Sequence, residues 1–185
     1  IVHNLIGENT PFMVGGHSKG GTLTLYSSIF VEKKIQDLII NAYFFEGPGL
    51  PYKFFEKEEY LRVKDRIISI VPRDSIFGEL FYTPKNPKVV SCYGKGFMQH
   101  DQFHWQTNGP DLYFIKERNP NTRIIHKASK EWIKEGKKEE FAKLIKILMT
   151  LTYADGNEEY ISIDLKVKKI LKRFKEVKKE YGIYS

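Results

Sequence analysis

At 185 residues, with 41% hydrophobic and 29% charged, the chain has the length and composition of a globular domain with a sizeable core. No apolar run approaches the roughly 20 residues that cross a bilayer, and the apolar fraction argues against a disordered chain. Most of the formal charge of +7 lies between Lys166 and Glu180, where eight Lys or Arg face two Glu, so a basic nucleic-acid groove across the fold is not expected.

Taken in order, Ile1 to Asn9 reads as the end of a helix or a loop, with Gly7 as a stop signal. A strand from Phe12 to Gly16 follows, then a helix from about Gly20 to Lys33, where Thr22, Leu25, Tyr26, Ile29 and Phe30 recur at helical spacing. Leu38 to Phe45 is nearly continuous in apolar and aromatic residues, as expected of a strand covered on both faces of a parallel sheet, and it ends in the tight turn Glu46-Gly47-Pro48-Gly49. Glu56 to Lys64 favours a helix, Arg66 to Val71 a third strand closed by Pro72, Ser75 to Tyr82 a short apolar helix or turn, and Lys88 to Tyr93 a fourth strand. A loop rich in polar and aromatic groups, Gly96 to Trp105, leads to a further strand at Leu112 to Lys116. From Lys127 the pattern is helical only. One apolar stripe runs through Phe141, Leu144, Ile145, Leu148 and Leu151, another through Ile163, Val167, Ile170, Leu171, Phe174 and Val177, with Asp155-Gly156-Asn157 between them. The expected organisation is an α/β core over residues 1–126 and a basic helical hairpin over 127–185, with strands joined through helices into a mainly parallel sheet.

The stretch Val14-Gly15-Gly16-His17-Ser18-Lys19-Gly20-Gly21 joins a strand to a helix through Gly16-x-Ser18-x-Gly20, the pattern of a nucleophile elbow. A serine hydroxyl needs a base to take its proton and an acid to hold that base in the right tautomer. Of the five histidines, His100 and His104 stand just beyond the fourth strand, and His100, nearer its end, is the preferred base. His17, beside the serine, is expected to point away, while His3 and His126 follow no strand of the sheet. Asp74 follows the third strand and completes the order serine, acid, histidine. Glu46, at the end of the second, is the rival acid, and helix capping is the structural alternative for Asp74. The backbone N–H of Lys19, at a helix N-terminus, is the expected oxyanion donor. Phe77, Leu80 and Phe81 are candidates to line an acyl pocket, although ordinary core packing is the better account of at least one of them. His100, Asp101 and His104 permit a metal reading, but the nearby Gly94 and Gly96 suit a loop rather than a ligand-bearing helix.

Gly16-His17-Ser18-Lys19-Gly20-Gly21, then Glu46-Gly47-Pro48-Gly49, then Val71-Pro72-Arg73-Asp74-Ser75-Ile76-Phe77-Gly78, then Gln99-His100-Asp101 with Trp105, resemble in kind and order the Mbeg-like bacterial α/β-hydrolases, relatives of the class 3 lipases. The likeness covers roughly residues 1–115. It implies an α/β-hydrolase fold of which this chain is the C-terminal part, an esterase or lipase activity, and Ser18 and His100 in the site. It also implies family residues ahead of Ile1 that carry an oxyanion loop. The chain departs from the family's usual Asp, Asn and Pro at Glu46, Thr22 and Gln102.

The resulting expectation is a serine hydrolase that cleaves a small-molecule or lipid carboxylic ester through Ser18, His100 and Asp74, a chemistry that needs neither cofactor nor metal. The rival expectation is a hydrolase-like scaffold of little or no turnover that acts as an interaction module. The single cysteine, Cys92, cannot form an internal disulfide and points to a reducing cytoplasm. The basic helix from Lys166 to Lys179 suits a solvated outer face, with weak contact to a membrane surface as the alternative.

Overall fold

Phe, Tyr, Ile and Val crowd the segments that become strands, and β-branched and aromatic side chains pack well on a pleated surface. In a computed structural model of the chain, which describes residues 9–120 and Thr122, four such segments lie parallel. They are β1 (Phe12–His17), β2 (Ile39–Phe45), β3 (Ile67–Pro72) and β4 (Lys88–Val90). Two short elements, β5 (Thr107–Asn108) and β6 (Asp111–Leu112), form a separate hairpin, and β7 (Phe114–Ile115) runs antiparallel on β4. The five-stranded order is β1-β2-β3-β4-β7, a mostly parallel sheet flanked by helices α1 (Lys19–Phe30), α2 (Lys33–Gln36) and α3 (Glu58–Val63).

Side chains of β2 alternate between two apolar layers, which is why its sequence is apolar almost throughout. Phe44 packs with Leu25 and Ile29 of α1, Leu50, and Val63 of α3. Tyr43 and Phe45 pack with Ile70, Val90 and Trp105 on the other side. The register pairs His17 with Phe45, Phe45 with Ile70, and Pro72 with Val90, so the carboxyl ends of all four parallel strands open at one edge.

The sequence expectations differ from the fold in a few places. The first helix ends at Phe30, because Val31 turns to an extended backbone and α2 forms a separate turn. The fourth strand stops at Val90, since Ser91 N–H bonds to Tyr113 and Tyr93 N–H to His104, which draws the chain away from β3. The single strand expected at 112–116 is split between β6 and β7. Of the short helix or turn expected at Ser75 to Tyr82 the structure takes the turn, with a 3-10 segment at Phe77–Glu79. The expected boundary at 126/127, His3, His126, the C-terminal hairpin and the basic helix lie outside the described residues. Among the described residues no helix is long and apolar enough to cross a membrane.

Candidate active site

Each parallel strand delivers one polar residue of interest just past its carboxyl end: Ser18 after β1, Glu46 after β2, Asp74 after β3 and His100 beyond β4. Crevices at that edge are where open parallel sheets place ligands. Ser18 has φ 55° and ψ −124°, a backbone conformation unusual for a residue with a side chain. Its N–H donates to Phe45 O at 2.9 Å, its carbonyl accepts from Thr22 N–H at 3.2 Å, and its hydroxyl makes no helix cap. The hydroxyl is left to His100, whose Nε2 lies 3.0 Å from Ser18 Oγ, with Ser18 only 6% and His100 9% exposed. The turn is tight because Gly16 lies against the first turn of α1: a Cβ on Gly16 would come within 2.3 Å of Gly20. Gly20 itself faces open space, so the closeness the motif demands falls on Gly16 and Gly21, whose added Cβ would come 2.9 Å from Gly16 O.

His100 is held by its surroundings rather than by a carboxylate. Phe77 stacks on its ring at 4.0 Å between centroids and His17 at 4.5 Å. His17 therefore turns toward the pair, contrary to the sequence expectation, because the register pairs it with Phe45 and sets it on the layer that holds Trp105, whose ring lies edge-on to it at 6.4 Å. Burial, then the nearby His17, pushes the His100 pKa down to about 3, against a smaller upward pull from Asp101. Since Nε2 faces the serine hydroxyl, the tautomer that can accept its proton carries hydrogen on Nδ1, and that buried atom has no hydrogen-bond partner among the described residues.

Asp74 is placed beside this arrangement without a hydrogen bond to His100. Its carboxylate accepts from Asn119 Nδ2 at 2.9 Å and from Gly96 N–H and Gln99 Nε2, both at 3.3 Å. Asp74 N–H in turn donates to Gln99 Oε1 at 2.7 Å, and Trp105 Nε1 donates to Gln99 O at 2.7 Å. Asp74 thus fastens the segment that carries His100, through a buried glutamine that sequence reasoning did not single out. No periodicity marks Gln99, and its signal is its place beside the histidine in the Gln99-His100-Asp101 motif.

Glu46, at φ 44°, is buried with its carboxylate facing the turn after β3. Ser75 Oγ donates to it at 2.7 Å, Ile76 N–H at 3.0 Å and Phe77 N–H at 3.1 Å. Burial outweighs these bonds and raises its pKa to about 7. Its visible work is to hold the turn that sets Phe77 on His100. Phe77 and Leu80 are buried in packing, 3% and 1% exposed, which favours the packing reading of those two. Asp101 accepts from Phe103 N–H at 3.0 Å and stands 3.5 Å from His104 Nδ1, so it caps a turn. Among the described residues no three His, Cys, Asp or Glu side chains converge as a metal-ligand set.

Fold and geometry together define a mixed α/β domain with a buried serine–histidine pair at the carboxyl edge of its parallel strands. The chain belongs to the Mbeg1-like family, a family of unknown function whose model matches residues 2–150. No curated protein and no solved structure matches it.

Proposed function

We propose that the protein is a serine hydrolase of the α/β-hydrolase class that cleaves a carboxylic ester. The observation that carries this reading is the 3.0 Å approach of His100 Nε2 to Ser18 Oγ on a strained turn between β1 and α1. Ser18 Oγ attacks the ester carbon while His100 Nε2 takes its proton, giving a tetrahedral oxyanion that faces the Lys19 N–H at the start of α1. Collapse expels the alcohol, which leaves with the proton from His100. Water then attacks the acyl-serine with His100 again as base, releasing the acid and restoring Ser18. Asp74 supports His100 through Gln99. The substrate is a small-molecule or lipid ester, the compartment a reducing cytoplasm, and the basic segment Lys166 to Lys179 a solvated face, with weak membrane-surface contact as its alternative. Vesicle flotation with anionic lipid tests that contact, and equal recovery with and without residues 160–185 refutes it. Labelling of Ser18 by a fluorophosphonate, abolished in Ser18→Ala, tests the enzyme reading.

One observation favours a second reading, a hydrolase-like scaffold with little turnover. No carboxylate bonds to Nδ1 of His100 among the described residues, and burial keeps that ring a weak base. A folded protein whose Ser18 resists the probe supports the scaffold.

A further inference from the structure

His100 stands at the root of a loop whose tip lies in solvent, since Phe103 is 97% exposed. The bonds within that loop are local: Asp101 O accepts from His104 N–H at 3.0 Å, and the Asp101 carboxylate from Phe103 N–H at 3.0 Å. Phe77 and His17 crowd the imidazole, but apolar contact is non-directional and does not by itself fix where Nε2 falls. A hydrogen bond to the main chain is directional and can. Gln99 lies near the end of the 3-10 turn Gly96–His100, where carbonyls run out of backbone donors, and its carbonyl belongs to the peptide group that leads into His100. That oxygen accepts from Trp105 Nε1 at 2.7 Å, inside the protein. The indole is itself anchored. Trp105 is 6% exposed and packs with Ile70 and Val90, its main chain bridges to Cys92, and Gln106 N–H donates to Ser91 O at 2.8 Å. A buried indole N–H, a donor only, needs an acceptor, and here the acceptor is the carbonyl ahead of the base. The bond closes the loop at its root and ties it to the layer packed on β3 and β4.

We infer that Trp105 is a positioning residue of the site, its indole N–H clamping the Gln99 carbonyl so that His100 Nε2 is held at 3.0 Å from Ser18 Oγ. This rests on the hydrolase reading for its consequence in catalysis, but not for its geometry. Trp105 acts through the main chain of its neighbour and not on the reacting atoms. It fixes where the imidazole stands, and leaves the tautomer and charge of the ring to other groups.

Two tryptophan analogues of nearly the same shape, placed at position 105 of the full chain, separate this role from plain packing. Benzothienylalanine carries sulfur where the indole has its N–H, and fluorotryptophan keeps the N–H. In the sulfur variant, with folding checked by circular dichroism, fluorophosphonate labelling of Ser18 is expected to slow roughly tenfold or more, because a small misplacement of a reacting group costs that much. The fluoro variant is expected to label at the wild-type rate. Two variants that label equally fast, or equally slowly, overturn the inference while leaving the hydrolase reading intact. NMR of the wild type gives a second readout that needs no activity and no variant, and it decides the matter if the sulfur variant does not fold. A downfield, slowly exchanging Trp105 indole N–H is expected, and one that exchanges freely with solvent overturns the inference. If the wild type does not label at all, the hydrolase reading falls and the His100 imidazole spectrum decides the role of Trp105. Ring-nitrogen signals shifted or broadened in the sulfur variant alone are expected, and signals unchanged from the wild type overturn it.

Discussion

Ser18 occupies φ 55°, where a β-carbon crowds the backbone, and such a residue stores about 1–3 kcal/mol. Glycine carries no such penalty, although it gives the unfolded chain more freedom. Ser18→Gly is therefore expected to raise stability by roughly 1 kcal/mol in urea unfolding while abolishing labelling. A destabilised Gly variant would mean that the hydroxyl stabilises the fold more than the turn strains it. Glu46 and His100 give a paired prediction. Burial raises Glu46 from 4.5 to about 7, so the folded state keeps a proton there that the unfolded chain releases, and its contribution is lost as pH rises from 4.5 to 7. Burial lowers His100 from 6.5 to about 3, so its contribution is lost as pH falls through that range. The two slopes oppose each other between pH 4.5 and 6.5. Glu46→Gln removes one of them, a term of roughly 3 kcal/mol at about 1.4 kcal/mol per pH unit. Its unfolding midpoint should fall more steeply than that of the wild type as pH drops from 6.5 to 4.5. Parallel profiles would show that the Glu46 carboxyl is already ionised in the folded protein at acid pH.

The join between β1 and α1 is the element on which the site depends. Gly16 cannot carry a methyl group without meeting the backbone of Gly20 at 2.3 Å, so Gly16→Ala should prevent the turn from closing and leave little folded protein by circular dichroism. Gly20→Ala, facing open space on a helix, should change stability by less than about 1 kcal/mol. Equal tolerance of both would contradict the packing described for the turn. The far end of α1 is held by Gln36, fully buried, whose amide donates to Ser28 O at 2.9 Å, Ile29 O at 3.1 Å and Glu59 O at 3.0 Å, and accepts from Arg62 Nε at 3.1 Å. Gln36→Leu strands those carbonyls and should cost about 2–4 kcal/mol in denaturant unfolding, whereas a loss under about 1 kcal/mol would show that the ends of α1 and α3 reach other donors.

Across the whole described molecule, what the sequence made legible was whatever obeys a period or a fixed spacing. The apolar runs of β1, β2 and β3, the Gly16-x-Ser18 turn and the approach of His100 to Ser18 followed from side-chain alternation and from the rule that open sheets gather function at strand ends. What stayed hidden depends on partners distant in sequence. The short span of β4 follows from Tyr113 and His104, the inward turn of His17 from its pairing with Phe45, and the ties of Asp74 to Gln99 and Asn119 from packing that no local pattern encodes. Asp74 was legible as a polar residue at the right strand end, and its carboxylate is directed to a supporting network instead of to the imidazole. The central claim is that the Ser18 hydroxyl, set against His100, is a working nucleophile. Mass-spectrometric mapping of the site of fluorophosphonate attachment tests it most directly: a single adduct on Ser18, lost when the protein is unfolded first, is the result the account predicts. A folded protein that carries no adduct, or one attached equally to other serines, would contradict it.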